Sequence, residues 1–560
     1  MFNAAVLRKG RAFPQVRRRS RKSSLTLPNA VSTSLRHGVA LLGTRSGPDD
    51  SNMRIFAAVD IGSNSVRIKI ARVIRHRLET IHEDRVVTRL GESAFRFGTL
   101  SPEAMEDTVK VLRRFYRQAQ DFGVDQVRVV ATSALRDAPN SAAFIAWVHS
   151  ATGWRVETIS GLEEGRLIHL GVLANSALGG SRALLIDLGG GSCELTLSDK
   201  GHIREMVSLP LGAVRLTGEF LPHDPPRPVE VQRLRRSIGE ELERIRKQLA
   251  RAKLRNVVAT SGTAAALSDA VRAATPRDFR ARAGHVSRAA ILSLAQRLAR
   301  LDAKGRSKVP GIGPRRAEII VAGAYVFAGL MERCSLPGFR YSPLGLRDGL
   351  LAQMLADHDR ATIPRKQVEA ERRDALLAMC KQYGVDLKRA EEVRRLAEQL
   401  FHQLRHVHAL PPDYAGWLSA AAMLHEVGTF INRSGRHRHT YYLIANSEIF
   451  GFTPQQRLSI AAMARYLGKT RPTPADGPMK ALDKEDEELV PQAVALLRLA
   501  NAMSHGSPGS IVDVAAEVYR ERVMIKLTAK DNSDLEVWML SKEKAYFRQV
   551  FGRELDVEVF

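Results

Sequence analysis

Cysteine is scarce in this chain, which has Cys193, Cys334 and Cys380 among its 560 residues. Three widely separated cysteines supply neither a CxxC pair nor a disulfide framework, so they indicate a reducing compartment and predict a cytoplasmic protein. The longest nearly unbroken apolar run, 319–331, is far shorter than the roughly 18–20 residues that cross a bilayer. It predicts a buried helix, and no membrane association is expected.

Acidic residues are absent from positions 1–48, which carry ten Lys or Arg. This composition predicts a disordered tail or a misassigned start codon over residues 1–52, and a polyanion-binding arm and a transit peptide are the alternatives. The rest of the chain keeps 75 basic and 60 acidic residues. The formal charge of the whole chain is +25, which predicts an anionic partner such as nucleic acid, a phosphorylated metabolite or an anionic lipid.

The length of 560 residues and a hydrophobic content of 44% allow several sizeable domains. Strand-like and helix-like stretches alternate as far as residue 357, which is typical of an α/β architecture. The two halves, 53–180 and 181–357, each open with an aspartate-containing hairpin, and this repetition predicts duplicated subdomains around a cleft. Helical patterns follow over 364–505. The end of the chain, 511–560, is predicted to be a small α/β cap with strands in EVYRERVMIKLTA, LEVWML and LDVEVF.

Two short turns connect the strand-like segments of these hairpins. The first glycine turn follows Asp60 and comprises Gly62, Ser63, Asn64 and Ser65. The second glycine turn follows Asp187 and comprises Gly189, Gly190, Gly191 and Ser192. Such turns let backbone N–H groups converge on a phosphate, although each could also be only a tight connection. Because a carboxylate beside a phosphate repels it unless it holds a cation or orients water, Asp60 and Asp187 are candidate Mg2+ or water ligands.

Two adjacent acids, Glu163 and Glu164, lie where a strand-like stretch ends and a helix begins. Neighbouring helical side chains point about 100° apart, so only one of them can face a cleft. The alternative is that both acids complement the helix dipole. The dinucleotide-binding pattern GxGxxG followed by a helix is absent. The GKT at 468–470 lacks the first glycine and the preceding strand of a Walker motif.

Several segments, taken in order, resemble the exopolyphosphatase / guanosine pentaphosphate phosphohydrolase (Ppx/GppA) family. They are FAAVDIGSNSVRIKIARV, VRVVATSALRDA, ISGLEEGRL, LLIDLGGGSCELTL, VVATSGT and YSPLGLRDGLL. The resemblance covers about 54–505. It implies an actin-like, sugar-kinase-like ATPase fold, with two ribonuclease-H-like subdomains around a phosphate cleft and an all-α HD-like domain after them. It also implies Mg2+-dependent hydrolysis of terminal phosphoanhydrides.

Carried over residue by residue, the resemblance makes Glu164 the catalytic base. It places Mg2+ near Asp187 and Glu194, with Asp187 also counted as catalytic. It assigns the terminal phosphate to the two glycine turns and to Arg136. The TSGT loop of the family corresponds to Ser261, Gly262 and Thr263.

The helical region departs from the HD pattern, because His425 is followed by Glu426 and Asn501 stands where a ligand aspartate is expected. We therefore predict a degenerate module that builds a polyanion channel or a dimer interface, without a tightly bound transition metal. Residues 309–317 match a helix-hairpin-helix DNA-binding pattern. The resemblance explains them as a loop that leads into the buried helix, so nucleic acid is not an expected partner.

The predicted function is that of an exopolyphosphatase, which removes terminal orthophosphate from inorganic polyphosphate and acts as a homodimer. The first alternative is a guanosine pentaphosphate 5′-phosphohydrolase that uses the same cleft. The second alternative is a nonenzymatic regulator that binds polyanions.

Overall fold

The computed structural model describes residues 54–174, 182–251, 254, 256–281, 283–359, 361–506, 509–530 and 532–560. The tail predicted over residues 1–52 lies outside them, as does the predicted boundary between 180 and 181. Among the helices of the described ranges, none combines the length and the apolarity that crossing a membrane requires.

The first half of the chain forms a mixed sheet with helices. Its strands are β1 (Ile55–Ile61), β2 (Ser65–Ile74), β3 (Arg77–Val87), β4 (Gln126–Ala131) and β5 (Val156–Thr158). Its helices are α1 (Leu90–Phe97), α2 (Pro102–Asp121), α3 (Ser133–Asp137), α4 (Ser141–Thr152) and α5 (Gly161–Ala174). The strand order is β3-β2-β1-β4-β5, with β1 antiparallel to β2 and parallel to β4. In β2 the side chains of Val66, Ile68 and Ile70 are buried and alternate with partly exposed Arg67 and Lys69, as the period-2 pattern predicts.

The second half repeats this arrangement. Its strands are β6 (Ala183–Leu188), β7 (Cys193–Asp199), β8 (His202–Leu209), β9 (Asn256–Thr260), β10 (His285–Ser287) and β11 (Gly338–Tyr341). Its helices are α6 (Ala213–Phe220), α7 (Pro228–Arg251), α8 (Ser261–Ala274), α9 (Pro276–Ala281), α10 (Arg288–Ala299), α11 (Ala303–Ser307), α12 (Ile320–Arg333) and α13 (Leu346–His358). The strand order is β10-β11-β9-β6-β7-β8, and β6 is antiparallel to β7 and parallel to β9, like β1 with its neighbours.

The two halves exchange a helix. Helix α5 follows the first sheet in sequence but packs on the second, where Val172 shares a hydrophobic cluster with Leu185 of β6. Helix α13 ends the second half but packs on the first sheet, where Leu351 shares a cluster with Ala58 of β1. The sequence-predicted halves therefore do not pack as separate units, and the exchanged helices lie side by side between the sheets.

The apolar run at 319–331 forms helix α12, and the prediction of a buried helix is confirmed, because nearly all of its side chains are buried. Residues 309–319 form turns ahead of this helix. The segment with the helix-hairpin-helix pattern is thus the approach to α12, and Arg316 within it is only 8% exposed.

The remainder of the chain is helical and then mixed. The helices are α14 (Ile363–Gln382), α15 (Leu387–Gln403), α16 (Arg405–His408), α17 (Tyr414–Leu424), a 3-10 helix (Val427–Phe430), α18 (Arg436–Asn446), α19 (Pro454–Arg465), α20 (Gly477–Lys480) and α21 (Lys484–Met503). The last elements are β12 (Ile511–Val518), β13 (Arg522–Ala529), α22 (Asp534–Ser541), α23 (Lys544–Phe551) and β14 (Glu554–Val559), with the sheet order β12-β13-β14. One hydrophobic core joins them to the helices, for example Leu400 with Val514 and Leu555.

One strand prediction in the last segment is wrong. The LEVWML stretch lies in helix α22, where Glu536 and Leu540, four residues apart, are buried while Leu535 and Trp538 are exposed. The helix turns Glu536 inward, and its carboxylate accepts hydrogen bonds from Gly506 N–H (3.1 Å) and Ser510 Oγ (3.0 Å). The burial of Glu536 with two hydrogen-bond donors therefore favours the helix over the strand that the apolar pattern predicts.

Candidate functional site

A cleft lies where the two glycine turns, the start of α8 and residues 341–348 come together. Among the predicted site residues, its wall contains Asp60, Gly62, Ser63, Asn64, Ser65, Glu164, Asp187, Gly189, Gly190, Ser192, Ser261 and Gly262. These residues come from both halves of the chain. The structure thus brings together most of the positions that the sequence singled out.

The two glycine turns have the same local geometry. Gly62 N–H donates to the Ser65 carbonyl (3.2 Å), and Gly189 N–H donates to the Ser192 carbonyl (3.0 Å). The turns also approach each other closely, because a Cβ added to Gly190 would lie 2.9 Å from the Cβ of Ser63. Glycine at position 190 therefore permits the backbones of the two turns to approach each other and to line the same cleft.

The strands that flank each turn carry different charges at matching positions. Asp60 on β1 lies directly opposite Arg67 on β2, and their side chains are 3.9 Å apart. Asp187 on β6 lies opposite Glu194 on β7. Directly opposed residues of antiparallel strands have neighbouring side chains. The first hairpin therefore presents a carboxylate with a guanidinium, and the second presents two carboxylates.

A cluster of three carboxylates forms beside the second glycine turn. One oxygen each from Glu164, Asp187 and Glu194 lies within 4.8 Å of the other two. Asp187 accepts a hydrogen bond from Thr260 Oγ1, and Glu194 accepts one from Ser208 Oγ (2.8 Å). Helix α5 brings Glu164 here because it packs on the second sheet. The helix exchange is thus what completes the cluster.

Burial and mutual repulsion perturb these acids. Burial, followed by repulsion from Glu194 and Asp187, holds the pKa of Glu164 well above its ordinary value. Burial, with Asp187 as the next cause, raises the pKa of Glu194 to about 7. Burial also raises the pKa of Asp187 despite its hydrogen bond from Thr260. Carboxylates held this way favour a cation or a proton among them.

The cluster fits Mg2+, which prefers oxygen ligands. In the described part of the chain, Oε2 of Glu164 and Oε2 of Glu194 are buried without a hydrogen-bond partner. Buried carboxylate oxygens without a hydrogen-bond donor, on residues that cluster with a third acid, are suitable ligands for a hard cation. Around His425 no comparable group of three metal-ligating side chains forms among the described residues.

The two adjacent acids point in different directions, as the helical geometry predicts. Glu164 faces the cleft, whereas the carboxylate of Glu163 accepts hydrogen bonds from Nε and Nη2 of Arg166, each 2.8 Å long. The guanidinium of Arg166 is buried and also donates to Glu371 of α14 (2.7 Å) and to Gln353 of α13 (2.7 Å). A buried ion cluster therefore anchors the helix that carries Glu164 to the helical module.

Four predicted residues do not line the cleft: Glu194, which belongs to the carboxylate cluster, and Arg136, Thr263 and Gly191. Arg136 is 3.9 Å from Glu164, and its Nη1 donates to the carbonyl of Ile159 (2.9 Å). Thr263 is buried, with Oγ1 3.4 Å from Nη1 of Arg316. Gly191 packs against Ser133, which a Cβ at position 191 would meet at 2.2 Å. These three residues support the wall rather than line it.

Sequence reasoning missed the basic side of the cleft, which contains Arg67, Arg85, Arg316 and Arg347. Three of these residues lie inside segments with a recognisable pattern: Arg67 in FAAVDIGSNSVRIKIARV, Arg316 in the DNA-binding pattern and Arg347 in YSPLGLRDGLL. Arg67 lies between buried Val66 and Ile68 in β2, and an arginine that alternates with apolar residues is typical of the solvent-facing side of a strand. An alignment of the two hairpins, which sets Arg67 against Glu194, could have signalled a role for Arg67.

The predicted degenerate site in the helical module has an inward-facing histidine. His425 is buried, its Nδ1 lies 2.7 Å from the carbonyl of Ala422, and its Nε2 lies 4.0 Å from Oε1 of Glu426. Burial lowers the pKa of His425, so the imidazole is neutral at pH 7. Asn501 lies in α21. The absence of a tightly bound metal here stays a prediction.

Comparison with known proteins relates both parts of the chain to one family. The Ppx/GppA phosphatase family matches residues 69–358, and domain III of the Ppx/GppA phosphatases matches residues 372–546. A Ppx/GppA family member from Aquifex aeolicus is 30% identical over 55% of this chain and 99% of its own, with a TM-score of 0.47. An exopolyphosphatase from Cytophaga hutchinsonii is 23% identical over 54% of this chain and 98% of its own, with a TM-score of 0.50, and supports the fold.

Proposed function

The chain belongs to the Ppx/GppA phosphatase family, and from this membership we propose that it is a Mg2+-dependent exopolyphosphatase. It hydrolyses the terminal phosphoanhydride bond of inorganic polyphosphate and releases orthophosphate. The observation that carries the proposal is the position of Glu164, whose Oε2 is buried without a hydrogen-bond partner, beside a cleft lined by two glycine turns and by arginines.

Each part of the cleft has a task in this reaction. Phosphoryl transfer needs positioning and charge neutralisation more than covalent chemistry. Backbone N–H groups of the two glycine turns, with those at the start of α8, hold the terminal phosphate. Glu164 orients a water molecule and accepts its proton as the water oxygen bonds to phosphorus. The bond to the bridging oxygen breaks, and the shortened polyphosphate leaves.

Asp187 and Glu194 are the residues proposed to hold Mg2+. When bound, this ion neutralises negative charge on the transferred phosphoryl group. The hydrogen bonds from Thr260 to Asp187 and from Ser208 to Glu194 fix the orientation of the two carboxylates. Arg136, 3.9 Å from Glu164, supplies a positive charge beside the base.

The test is phosphate release by Glu164→Gln, with Glu163→Gln as the control. Glu164→Gln should lower turnover by about 10²–10⁴-fold while substrate still binds, because the amide cannot accept the proton. Glu163→Gln should stay within about tenfold of the native rate, because its amide oxygen can still accept from Arg166. Near-native turnover in Glu164→Gln, with loss in Glu163→Gln, would reverse the assignment.

The same assay decides between substrates. Native protein is given long polyphosphate and guanosine pentaphosphate side by side at about 50 and 200 mM salt. A chain that contacts many basic groups releases many counterions, so kcat/KM for polyphosphate should fall with salt more steeply as the chain lengthens. A slope that does not depend on length, with guanosine pentaphosphate the better substrate at both salts, would favour the alarmone phosphohydrolase.

A cytoplasmic location and a homodimer complete the proposal. The low cysteine content supports a reducing compartment, and all three cysteines are buried free thiols. The homodimer rests on the resemblance to the family. Sedimentation equilibrium of the purified chain tests it.

A further inference from the structure

A second cavity, called here the rear cavity, lies beside the residues that carry the proposed reaction. Its volume is about 340 Å³, compared with the ~30 Å³ that one water molecule occupies in the liquid. One wall comes from the first half of the chain and includes Arg136, Thr158 and Glu163. The facing wall comes from the helical module and includes Asn446 of α18 and Arg457 of α19. The rear cavity therefore has room for a small hydrated ion.

Two helices form the partition between the rear cavity and the cleft. In α3, Ser133 lines the cleft, and Arg136, three residues later, lines the rear cavity. In α5, Glu164 lines the cleft, and its neighbour Glu163 lines the rear cavity. Nη1 of Arg136 is 3.9 Å from Oε2 of Glu164. The guanidinium of Arg136 therefore stands at the boundary between the two spaces, next to the proposed base.

The rear cavity adjoins the side of the phosphate from which water attacks. In phosphoryl transfer the attacking and leaving oxygens are roughly in line with phosphorus, so the leaving chain points away from the water. Glu164 orients that water, and Arg136 connects Glu164 with the rear cavity. The shortened polyphosphate therefore occupies the opposite side and blocks the path by which it entered. Orthophosphate formed beside Glu164 needs a second path if it is to leave before the chain.

Two guanidinium groups mark such a path. Arg136 donates from Nη1 to the carbonyl of Ile159 (2.9 Å), and its side chain is 27% exposed. A partly exposed side chain at a boundary is free to change rotamer on a fast timescale. Across the rear cavity, Nε of Arg457 is buried without a hydrogen-bond partner among the described residues. Arg457 thus offers a donor to an anion that has passed Arg136.

The other charged residues of the wall favour release of an anion over its storage. Glu163 is neutralised by Arg166, and Arg128 is neutralised by Glu157, which accepts from its Nε (3.0 Å) and Nη2 (2.9 Å). Glu448 lines the rear cavity and is exposed to solvent. A carboxylate at this position repels an anion that reaches it. The wall therefore has cations toward the reaction site and a negative charge toward solvent.

We propose that the rear cavity is the route by which orthophosphate leaves, with Arg136 as the gate between it and the cleft. The ion passes from Arg136 to Arg457 and reaches solvent near Asn446, while the shortened polyphosphate stays bound for the next cleavage. This inference rests on the proposed function and adds how the product of the same site departs.

The test compares cleavage with release in the full-length protein acting on long polyphosphate. Acid quenching counts all orthophosphate that has formed, and a fluorescent phosphate-binding protein counts the orthophosphate that has left. Asn446→Trp places an indole in the exposed part of the rear cavity. First-turnover cleavage should stay within about twofold of native, whereas free orthophosphate should appear at least about tenfold more slowly. Quenched samples should then show a burst of about one phosphate per active site.

Two further variants make the comparison specific. Thr158→Trp, which fills the rear cavity from the other wall, should reproduce the delay between cleavage and release. Thr158 and Asn446 are both exposed, so neither indole displaces a buried side chain. The control is Arg438→Trp, because Arg438 is exposed on the same helix as Asn446 and does not line the rear cavity. In that variant cleavage and release should both match the native protein.

Other outcomes overturn the inference. Free orthophosphate that keeps pace with cleavage in both cavity variants would place the exit elsewhere, while the proposed hydrolysis stands. Slower first-turnover cleavage without a delay in release would make the rear cavity part of the reaction site. An equal delay in Arg438→Trp would separate the effect from the cavity. Native protein that forms no orthophosphate from polyphosphate would remove the proposed function and the exit route together. If Asn446→Trp does not fold, Thr158→Trp decides.

Discussion

The crossing of α5 and α13 depends on two glycines, and a methyl group at Gly349 should disrupt both stability and activity. A Cβ built on Gly349 would lie 1.8 Å from the carbonyl oxygen of Leu167, and one on Gly171 would lie 2.6 Å from the amide nitrogen of Gly349. Real Cβ contacts essentially never fall below 3.0 Å. Because the opposing atoms are backbone, no side-chain rotation relieves the overlap, and the helices must separate by about 1.2 Å.

The expected cost follows from two opposing effects. In a helix, Gly→Ala raises the free energy of unfolding by about 1 kcal/mol, whereas overpacking of this kind lowers it by about 3 kcal/mol. We therefore expect Gly349→Ala to lower the free energy of unfolding by roughly 2 kcal/mol. Helix α5 carries Glu164, and α13 has Arg347 in its first turn, at the cleft. A displacement near 1 Å should therefore lower kcat/KM by about 10²-fold.

The assay combines urea unfolding with steady-state phosphate release from polyphosphate. The control is Gly218→Ala in α6, where an added Cβ meets no atom within 4 Å. That variant should be as active as the native protein and at least as stable. The reasoning is refuted if Gly349→Ala keeps native stability and turnover, or if Gly218→Ala loses as much.

Three further predictions concern the site and its supports. Arg136 lowers the pKa of Glu164, so this pKa should rise further in Arg136→Gln and the base should become protonated at a higher pH. The acid limb of the kcat/KM profile should therefore shift to higher pH, and a limb at the native pH would contradict this. Glu371→Ala, which removes a buried acceptor from Arg166, should lower kcat about tenfold with KM unchanged. Glu369→Ala on the exposed side of the same helix should leave both near native, and a change confined to KM in Glu371→Ala argues against a positioning role. Chelation of divalent cations should abolish phosphate release and added Mg2+ should restore it, and full activity after exhaustive chelation counts against a metal at the carboxylate cluster.

The duplicated hairpins could be predicted because their signal is local. Strand alternation, small turn residues and a preceding aspartate lie within about twenty residues in each copy. The exchange of α5 and α13 leaves no such local trace. Each helix is contiguous with its own half, and only the side chains that meet in three dimensions, such as Val172 with Leu185, show which sheet it covers. Contacts between the two halves therefore determine which sheet each helix covers, and the local sequence pattern does not contain that information.

The helix over LEVWML shows the same limit. Five of its six residues are apolar, which favours a short strand, but the burial of Glu536 and Leu540 follows a helical spacing. The inward side of α22 is set by donors at Gly506 and Ser510, which lie about thirty residues earlier. An apolar run of six residues is too short to distinguish a strand from a helix that such a contact stabilises.

The candidate site was predictable on its acidic side and not on its basic side. Acids and glycines stand out in a turn, whereas arginine on a strand is typical of a solvent-facing position. Arg85 differs only because the cleft encloses it beside other positive charges. That environment comes from β2, β3 and α13 together, and no single segment contains it.

The difference between the two hairpins gives the cleft one acidic side and one basic side. Asp60 in the first hairpin and Asp187 in the second occupy matching positions. The residue opposite the aspartate is Arg67 in the first hairpin and Glu194 in the second. If both copies carried the acid, the cleft would lose a cation and repel a polyanion more strongly; if both carried arginine, the carboxylate cluster would lose a ligand for a hard cation. One substitution between duplicated strands thus separates an acidic side that fits Mg2+ from a basic side that fits phosphate.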